Sequence, residues 1–318
     1  MKLLDAFMSS PGPRNLKESF ALYTKGVAMG TADIIPGVSG GTIALIAGIY
    51  TQLIDAIKSL DGQGIKKILT LDLAGALAHV HVRFLVILLA GIGTAIVSIA
   101  RLMHWLLANQ PTFTWSVFFG LILASIWILG KKVSWGGATG AAFLGGIVVG
   151  FLVVGLIPVQ TPETWWFIIF CGMIAICAMI LPGISGAFLL LILGKYEYIT
   201  GALKNPFSTE SLIIISCFAI GALIGITSFS RVLSFLLHHF EALTIAFLTG
   251  LMAGSLRKVW PWKEALETQI IRGKLHVLRE VNLLPSLDQN LLISFALMCV
   301  GMLGVLGLEK IAGPPSQG

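Results

Sequence analysis

Residues 164–194 run for 31 positions without a charge, and Leu-Pro-Gly-Ile-Ser-Gly (181–186) stands past their midpoint. As one helix such a run would measure about 46 Å at ~1.5 Å per residue. The hydrocarbon core of a bilayer is only ~30 Å thick. Proline removes a backbone donor and glycine admits a sharp turn. The run is therefore expected to fold as a re-entrant hairpin, two short helices entering and leaving by one face with the turn at mid-membrane. Two full spans with a surface turn are the alternative. Non-helical backbone is not tolerated against lipid, so the turn must pack in protein or line a wet cavity.

Further uncharged runs cover 84–100, 111–130, 133–162, 211–230, 242–256 and 289–308. The chain of 318 residues is 56% hydrophobic and 11% charged, against roughly 25% charged in soluble domains. It reads as an all-α polytopic membrane protein forming a single transmembrane domain over 1–318. The opening MKLLDAFMSSPGPR has no continuous apolar core, so no removable signal peptide is expected. Cys171, Cys177, Cys217 and Cys299 lie in apolar runs without metal-ligand spacing and read as small hydrophobes. The net charge of +6 fits orientation and anionic headgroups in a membrane protein, and no nucleic-acid partner is expected.

The broken run has a twin. PGVSGGTIALIAGIYTQLIDAIK (36–58) aligns without gaps on PGISGAFLLLILGKYEYITGALK (182–204) at an offset of 146 residues, and ten of 23 positions are identical. They include Pro36/Pro182, Gly37/Gly183, Ser39/Ser185, Gly40/Gly186, Gly48/Gly194, Tyr50/Tyr196 and Lys58/Lys204. A weaker match resumes at an offset of 130, with Gly91 on Gly221, Arg101 on Arg231, and Gly120-Leu121 on Gly250-Leu251. The repeats are expected at 18–132, with a hairpin around 36–41, and 164–260, with a hairpin around 182–186. A linking transmembrane helix falls at 133–160, and a basic linker with a final transmembrane helix at 261–318.

Three spans are predicted between the hairpins, at 84–107, 111–130 and 137–157. An odd number of crossings makes the repeats inverted, the arrangement of many secondary transporters. Lys2, Arg14, Lys17, Lys58, Lys66, Lys67, Lys131 and Lys132 then share one face, which the positive-inside rule makes cytoplasmic. The linker 257–290, also rich in Lys and Arg, falls on the other face by the same count. Its WPWKEALETQIIRGKLHVLR segment is read as an amphipathic surface helix.

A half-helix starting after PGVSGG would point free N–H groups at the membrane centre. Gly37, Gly40, Gly41, Gly183 and Gly186 would let those amides approach a ligand, with Ser39, Thr42 and Ser185 adding hydroxyls. Such a site suits phosphate or carboxylate; helix breakage for packing, with serine as cap, is the plainer reading. Arg101 and Arg231 are candidate phosphate ligands because they match between repeats, although arginine near a helix end also snorkels. Asp33, whose repeat mate is Met179, either carries a coupling proton or pairs with Lys25 eight residues earlier. Glu197 is a second candidate for proton coupling, and it, Tyr50 and Tyr196 also read as interfacial, as do His104, His238 and His239. No catalytic set, metal site or cofactor is expected.

PGVSGGT, PGISG and LRKVWPWK together resemble the polyprenyl-phosphate transporter family (PopT-type), over roughly residues 19–308. The resemblance implies a flippase that returns undecaprenyl phosphate, the lipid carrier of cell-wall building blocks, between leaflets of the bacterial inner membrane. It implies that lipid and the bilayer as partners; a homodimer is a further expectation. A secondary transporter of a small soluble anion is the alternative. Undecaprenyl pyrophosphate phosphatases share re-entrant elements but carry Pro-Gly-x-Ser-Arg-Ser. Gly40 and Gly186 occupy that arginine's place here, so no enzymatic activity is expected.

Overall fold

The computed structural model describes residues 7–34, 39–59, 79–156, 159, 161–203, 207–271 and 274–312, with positions 67, 70, 72, 75 and 77 between them. The expected apex Ile35–Val38, and Gly37 with it, lies outside the described residues. Asn15 caps α1 (Leu16–Asp33) by accepting the Glu18 amide at 2.8 Å, and Glu18 accepts the Arg14 amide at 2.7 Å in return. The short helices α2 (Gly40–Ile46) and α3 (Tyr50–Lys58) follow. Then come the long α4 (Val82–Asn109), α5 (Pro111–Lys132) and α6 (Gly137–Val154). The second series has the same order: α7 (Trp165–Ile180), α8 (Gly186–Ile192), α9 (Tyr196–Ala202), α10 (Thr209–His239) and α11 (Glu241–Val259). Strands β1 (Lys263–Ile271) and β2 (Lys274–Asn282) precede α12 (Gln289–Ala312). Among the described residues six helices, α4, α5, α6, α10, α11 and α12, are long and apolar enough to cross a membrane.

Each broken segment folds back on itself. Gly40 N donates to Asp33 Oδ1 at 2.6 Å, and Lys25 Nζ donates to the Ala47 carbonyl at 2.9 Å, so α2 runs antiparallel along α1. In the second copy the chain after α8 returns to the segment before α7: Val159 N meets the Ile192 carbonyl at 2.8 Å and Lys195 Nζ the Thr161 carbonyl at 2.7 Å. Both short helices end alike. Gly48 (φ +70°) and Gly194 (φ +63°) take the left-handed conformation. Ile49 N and Lys195 N then bond back to Ala44 and Leu190, closing the same glycine cap twice. The expected Lys25–Asp33 pair does not form, because eight residues along a helix separate the two by about 12 Å.

The packing repeats as well. A Cβ on Gly91 would strike the Tyr23 carbonyl, and one on Gly221 the Ile169 carbonyl, so α1 lies against α4 as α7 lies against α10. Gly120 meets the Met298 carbonyl and Gly250 the Phe143 carbonyl. Gly301 meets Val117, and Gly146 meets Phe247. Each copy's third long helix is thus exchanged: α6 packs on α11 and α12 on α5. Glycine at these crossings lets helix backbones touch, the usual basis of helix association in lipid. The 31-residue α10 carries α3 against its last turns, through Asp55, Ser234 and His238, and α9 against its first, through Ile199, Ala202 and Ile214.

The linker overturns one expectation. Strands Lys263–Ile271 and Lys274–Asn282 pair antiparallel, with Lys263 opposite Asn282 and Ile271 opposite Lys274. Thr268, Ile270, Ile271, Val277 and Val281 are β-branched and favour a pleated surface over a helix. The base of the hairpin is tied to the end of α11 by Asn282 Nδ2 to the Arg257 carbonyl and Trp260 Nε1 to the Leu283 carbonyl, both 2.9 Å. Trp260 also meets Phe119 and Trp262 edge-on. An aromatic belt of this kind marks a membrane–water interface.

Candidate site where the two turns meet

The broken segments of the two copies touch at their turns. Ser39, in extended conformation, accepts the Gly41 amide at 3.1 Å and donates to the Met179 carbonyl at 2.8 Å. Thr42, fully buried, accepts the Gly183 amide at 3.0 Å. Tyr50 donates its hydroxyl to the Ile180 carbonyl at 3.1 Å. Three side chains of the first copy therefore satisfy the backbone that the second turn leaves unpaired. Gly41 has no room for a Cβ, which would collide with the Ile180 carbonyl. Gly183 sits at φ +87°, where only glycine rests without strain.

Beside this junction Asp33, Ser39, Met179, Ser185, Gly186 and Ala187 line a cavity of about 50 Å³, with room for water-sized occupants. Asp33 and its repeat mate Met179 are both exposed. A carboxylate in that position, on a hairpin that folds back among membrane-length helices, requires a wet opening. Ser185 is buried among these groups and makes no helix-capping bond, unlike Ser39.

The free amides expected from the sequence are occupied in this conformation. Gly40 N is held by Asp33, Gly41 N by the Ser39 hydroxyl, Thr42 N by the Ser39 carbonyl and Gly183 N by Thr42. Helices α2 and α8 have seven residues each, too short to sum a large dipole. The turns form a closed polar junction, held between the copies by Ser39, Thr42 and Tyr50 and within the first copy by the bonds of Gly40 N and Gly41 N.

Several expected site residues lie elsewhere. Arg101 and Arg231 are exposed and make no hydrogen bond or ion pair among the described residues. On α10, Arg231 is exposed although Ser230 and Ser234 beside it are buried, and neither arginine lines the cavity. Their matching positions belong to the repeat and do not converge on the cavity. Glu197 stands in the first turn of α9, beyond the glycine cap that ends α8, and away from the turns. Tyr50, expected at the interface, is 2% exposed, whereas Tyr196 is 36% exposed. Their identity in the alignment hid that difference, because only Tyr50 faces the other copy's turn. Sequence reading also missed a polar cluster at the end of α3: Ser234 Oγ donates to Asp55 at 3.0 Å, Lys58 Nζ donates to Ser234 Oγ at 3.2 Å, and His238 lies 3.6 Å from Asp55.

Comparison with known proteins adds a family. A family model described as undecaprenyl phosphate translocase-like (VCA0040-like) matches residues 29–275. A polyprenyl-phosphate transporter of Vibrio cholerae serotype O1 is 42% identical over 299 residues, covering 91% of this chain and 96% of that protein. A polyprenyl-phosphate transporter of Staphylococcus aureus is 30% identical over 262 residues, covering 78% and 87% respectively. No solved structure matches the chain.

Proposed function

The chain belongs to the undecaprenyl phosphate translocase-like family, and from that premise we propose that it is a flippase for polyprenyl phosphate. It moves the lipid between leaflets of the bacterial inner membrane without making or breaking a covalent bond. The observation that carries the mechanism is the hydrogen-bonded junction of the two turns, set beside a cavity that contains a carboxylate and two serines. Separation of the turns frees the Gly183 amide and the hydroxyls of Thr42 and Ser39. These are neutral donors that suit a phosphate. The prenyl chain stays in lipid while the headgroup passes between the copies.

The proposal includes an inverted, re-entrant architecture. Equivalent helices α3 and α9 lie at opposite ends of α10, which supports hairpins that enter from opposite faces. Closure at one turn and opening at the other then interconvert by symmetry-related motions, the logic of inverted-repeat carriers. Asp33 holds Gly40 N and is the acidic group that borders the cavity, so it is assigned the coupling proton. Glu197 and the two arginines take no part in holding the phosphate at the turns. A homodimer is compatible with this scheme and is not required by it.

Leaflet-resolved labelling of undecaprenyl phosphate in proteoliposomes tests the function. Protein-dependent appearance of lipid in the opposite leaflet is expected; labelling identical to protein-free vesicles, under either orientation of a pH gradient, overturns it. Asp33→Asn keeps an acceptor for Gly40 N and loses the ionisable group. It is expected to insert normally and to respond less than the native protein to an imposed pH gradient. An unchanged response removes Asp33 from coupling.

A further inference from the structure

We propose that the apolar cleft beside the second turn holds the hydrocarbon chain of the lipid whose phosphate the turns receive, an assignment that rests on the transport reading above. The cleft measures about 450 Å³, within the 300–1,000 Å³ range of small-molecule pockets. Val232, Leu236 and Phe240 form one wall, Leu243 and Phe247 the other, and Leu181 of the turn also lines it. One polar side chain, Thr244, borders it, and that hydroxyl is committed to the Phe240 and Leu236 carbonyls at 2.9 and 3.1 Å. The walls therefore offer dispersion contacts and aromatic faces, with no hydrogen-bond donor for a headgroup.

Position selects the occupant. From Phe229 to Phe240 the cleft follows α10 for eleven residues, about 16 Å, or half of a ~30 Å hydrocarbon core. It thus spans one leaflet. Leu181 is two residues from Met179 and four from Ser185, both of which line the polar cavity. A chain seated in the cleft with its end at Leu181 brings its headgroup to the turns. Cleft and cavity together match an amphiphile with an anionic head and a long tail.

Chain length is the discriminating variable. Ala142→Trp and Val232→Trp fill the cleft from opposite walls at partly exposed positions, and Val148→Trp on the outer face of α6 serves as control. In proteoliposomes both filled variants are expected to move undecaprenyl phosphate at least tenfold more slowly than native protein. Short-chain geranyl phosphate should be moved within twofold of native, and the control should match native for both. Equal loss of both lipids, or no loss of either, overturns the assignment. A second measurement does not depend on transport. A polyprenyl phosphate with a photoreactive group in its tail is expected to crosslink to 229–248, and undecaprenyl phosphate should displace it while excess phosphatidylethanolamine does not. Displacement by both lipids alike means that bulk lipid occupies the cleft and overturns the proposal. If native protein moves neither lipid yet crosslinks selectively, the transport reading fails and the cleft assignment stands.

Discussion

A methyl group on Gly183 would lie 2.8 Å from Ser255 Oγ and 2.9 Å from Met252 Cα. The left-handed backbone there adds about 1–2 kcal/mol of strain for any L-residue with a side chain. Gly183→Ala is therefore expected to lower the thermal midpoint in detergent, and Gly183→Val to abolish transport, because a β-branched residue resists the conformation further. Native transport rates in an inserted Gly183→Val protein would refute the role of the turn. Tyr50 makes a milder case. Tyr50→Phe removes one buried hydrogen bond, worth about 1 kcal/mol, and no group assigned to the phosphate. It should unfold at lower temperature yet still transport; loss of transport at native stability would make the hydroxyl a ligand. The serines, glycines and Asp33 were legible as candidates because they interrupt an apolar run. Tyr50 was not, since one tyrosine looks like another until the opposite copy supplies the carbonyl that it meets. The arginines show a related limit: equivalence in a repeat says that two residues occupy the same place, not that the place faces the centre.

At the scale of elements, the long helices could be read from uncharged length and the breaks between short helices from Pro-Gly, since lipid leaves the backbone few alternatives. The β-hairpin could not, because its Lys, Glu and Leu content suits a surface helix equally well. The outcome there is decided by docking. Lys263 stands 4.0 Å from the Trp115 ring centre and 3.7 Å from Glu280, with its side chain 9% exposed. Burial pushes its pKa from 10.5 down to about 8, against the pull of Glu280. A folded-state pKa below the unfolded value means that the unfolded chain binds more protons between these values. Stability should therefore rise with pH from about 8 to about 10.5, an increment specific to this lysine. Thermal midpoints of native protein and Lys263→Met across that window check it: the native curve should gain relative to the variant as pH rises. Parallel curves would mean that the ammonium is not desolvated. The exchanged helices α6 and α12 were likewise hidden, because their match is carried by Gly146 and Gly301 at an offset that differs from both of the others.

For the whole molecule, the decisive quantity is which ends of the chain's segments share a face. Lys17 and Ser134 are exposed, as are Glu163 and Glu210, and each can carry a cysteine once Cys171, Cys177, Cys217 and Cys299 are replaced. Between Lys17 and Ser134 lie the first hairpin and two crossings, α4 and α5. A hairpin that returns to its own face leaves the count even, so these two positions should label from one side. Helix α6 then crosses once and brings Glu163 to the other side. Between Glu163 and Glu210 stand only α7, α8 and α9. The 16 residues of α7 span about 24 Å, short of a full hydrocarbon core, and the contacts of Lys195 with Thr161 return the chain to its start. Glu163 and Glu210 should therefore label together, from the face opposite Lys17 and Ser134, when a membrane-impermeant maleimide is applied to intact and to permeabilised spheroplasts. A single crossing by the second broken segment would separate Glu163 from Glu210, and the repeats would then be parallel. In that arrangement the two turns could not approach from opposite faces, and a phosphate would have no symmetric path past Asp33 and Ser185.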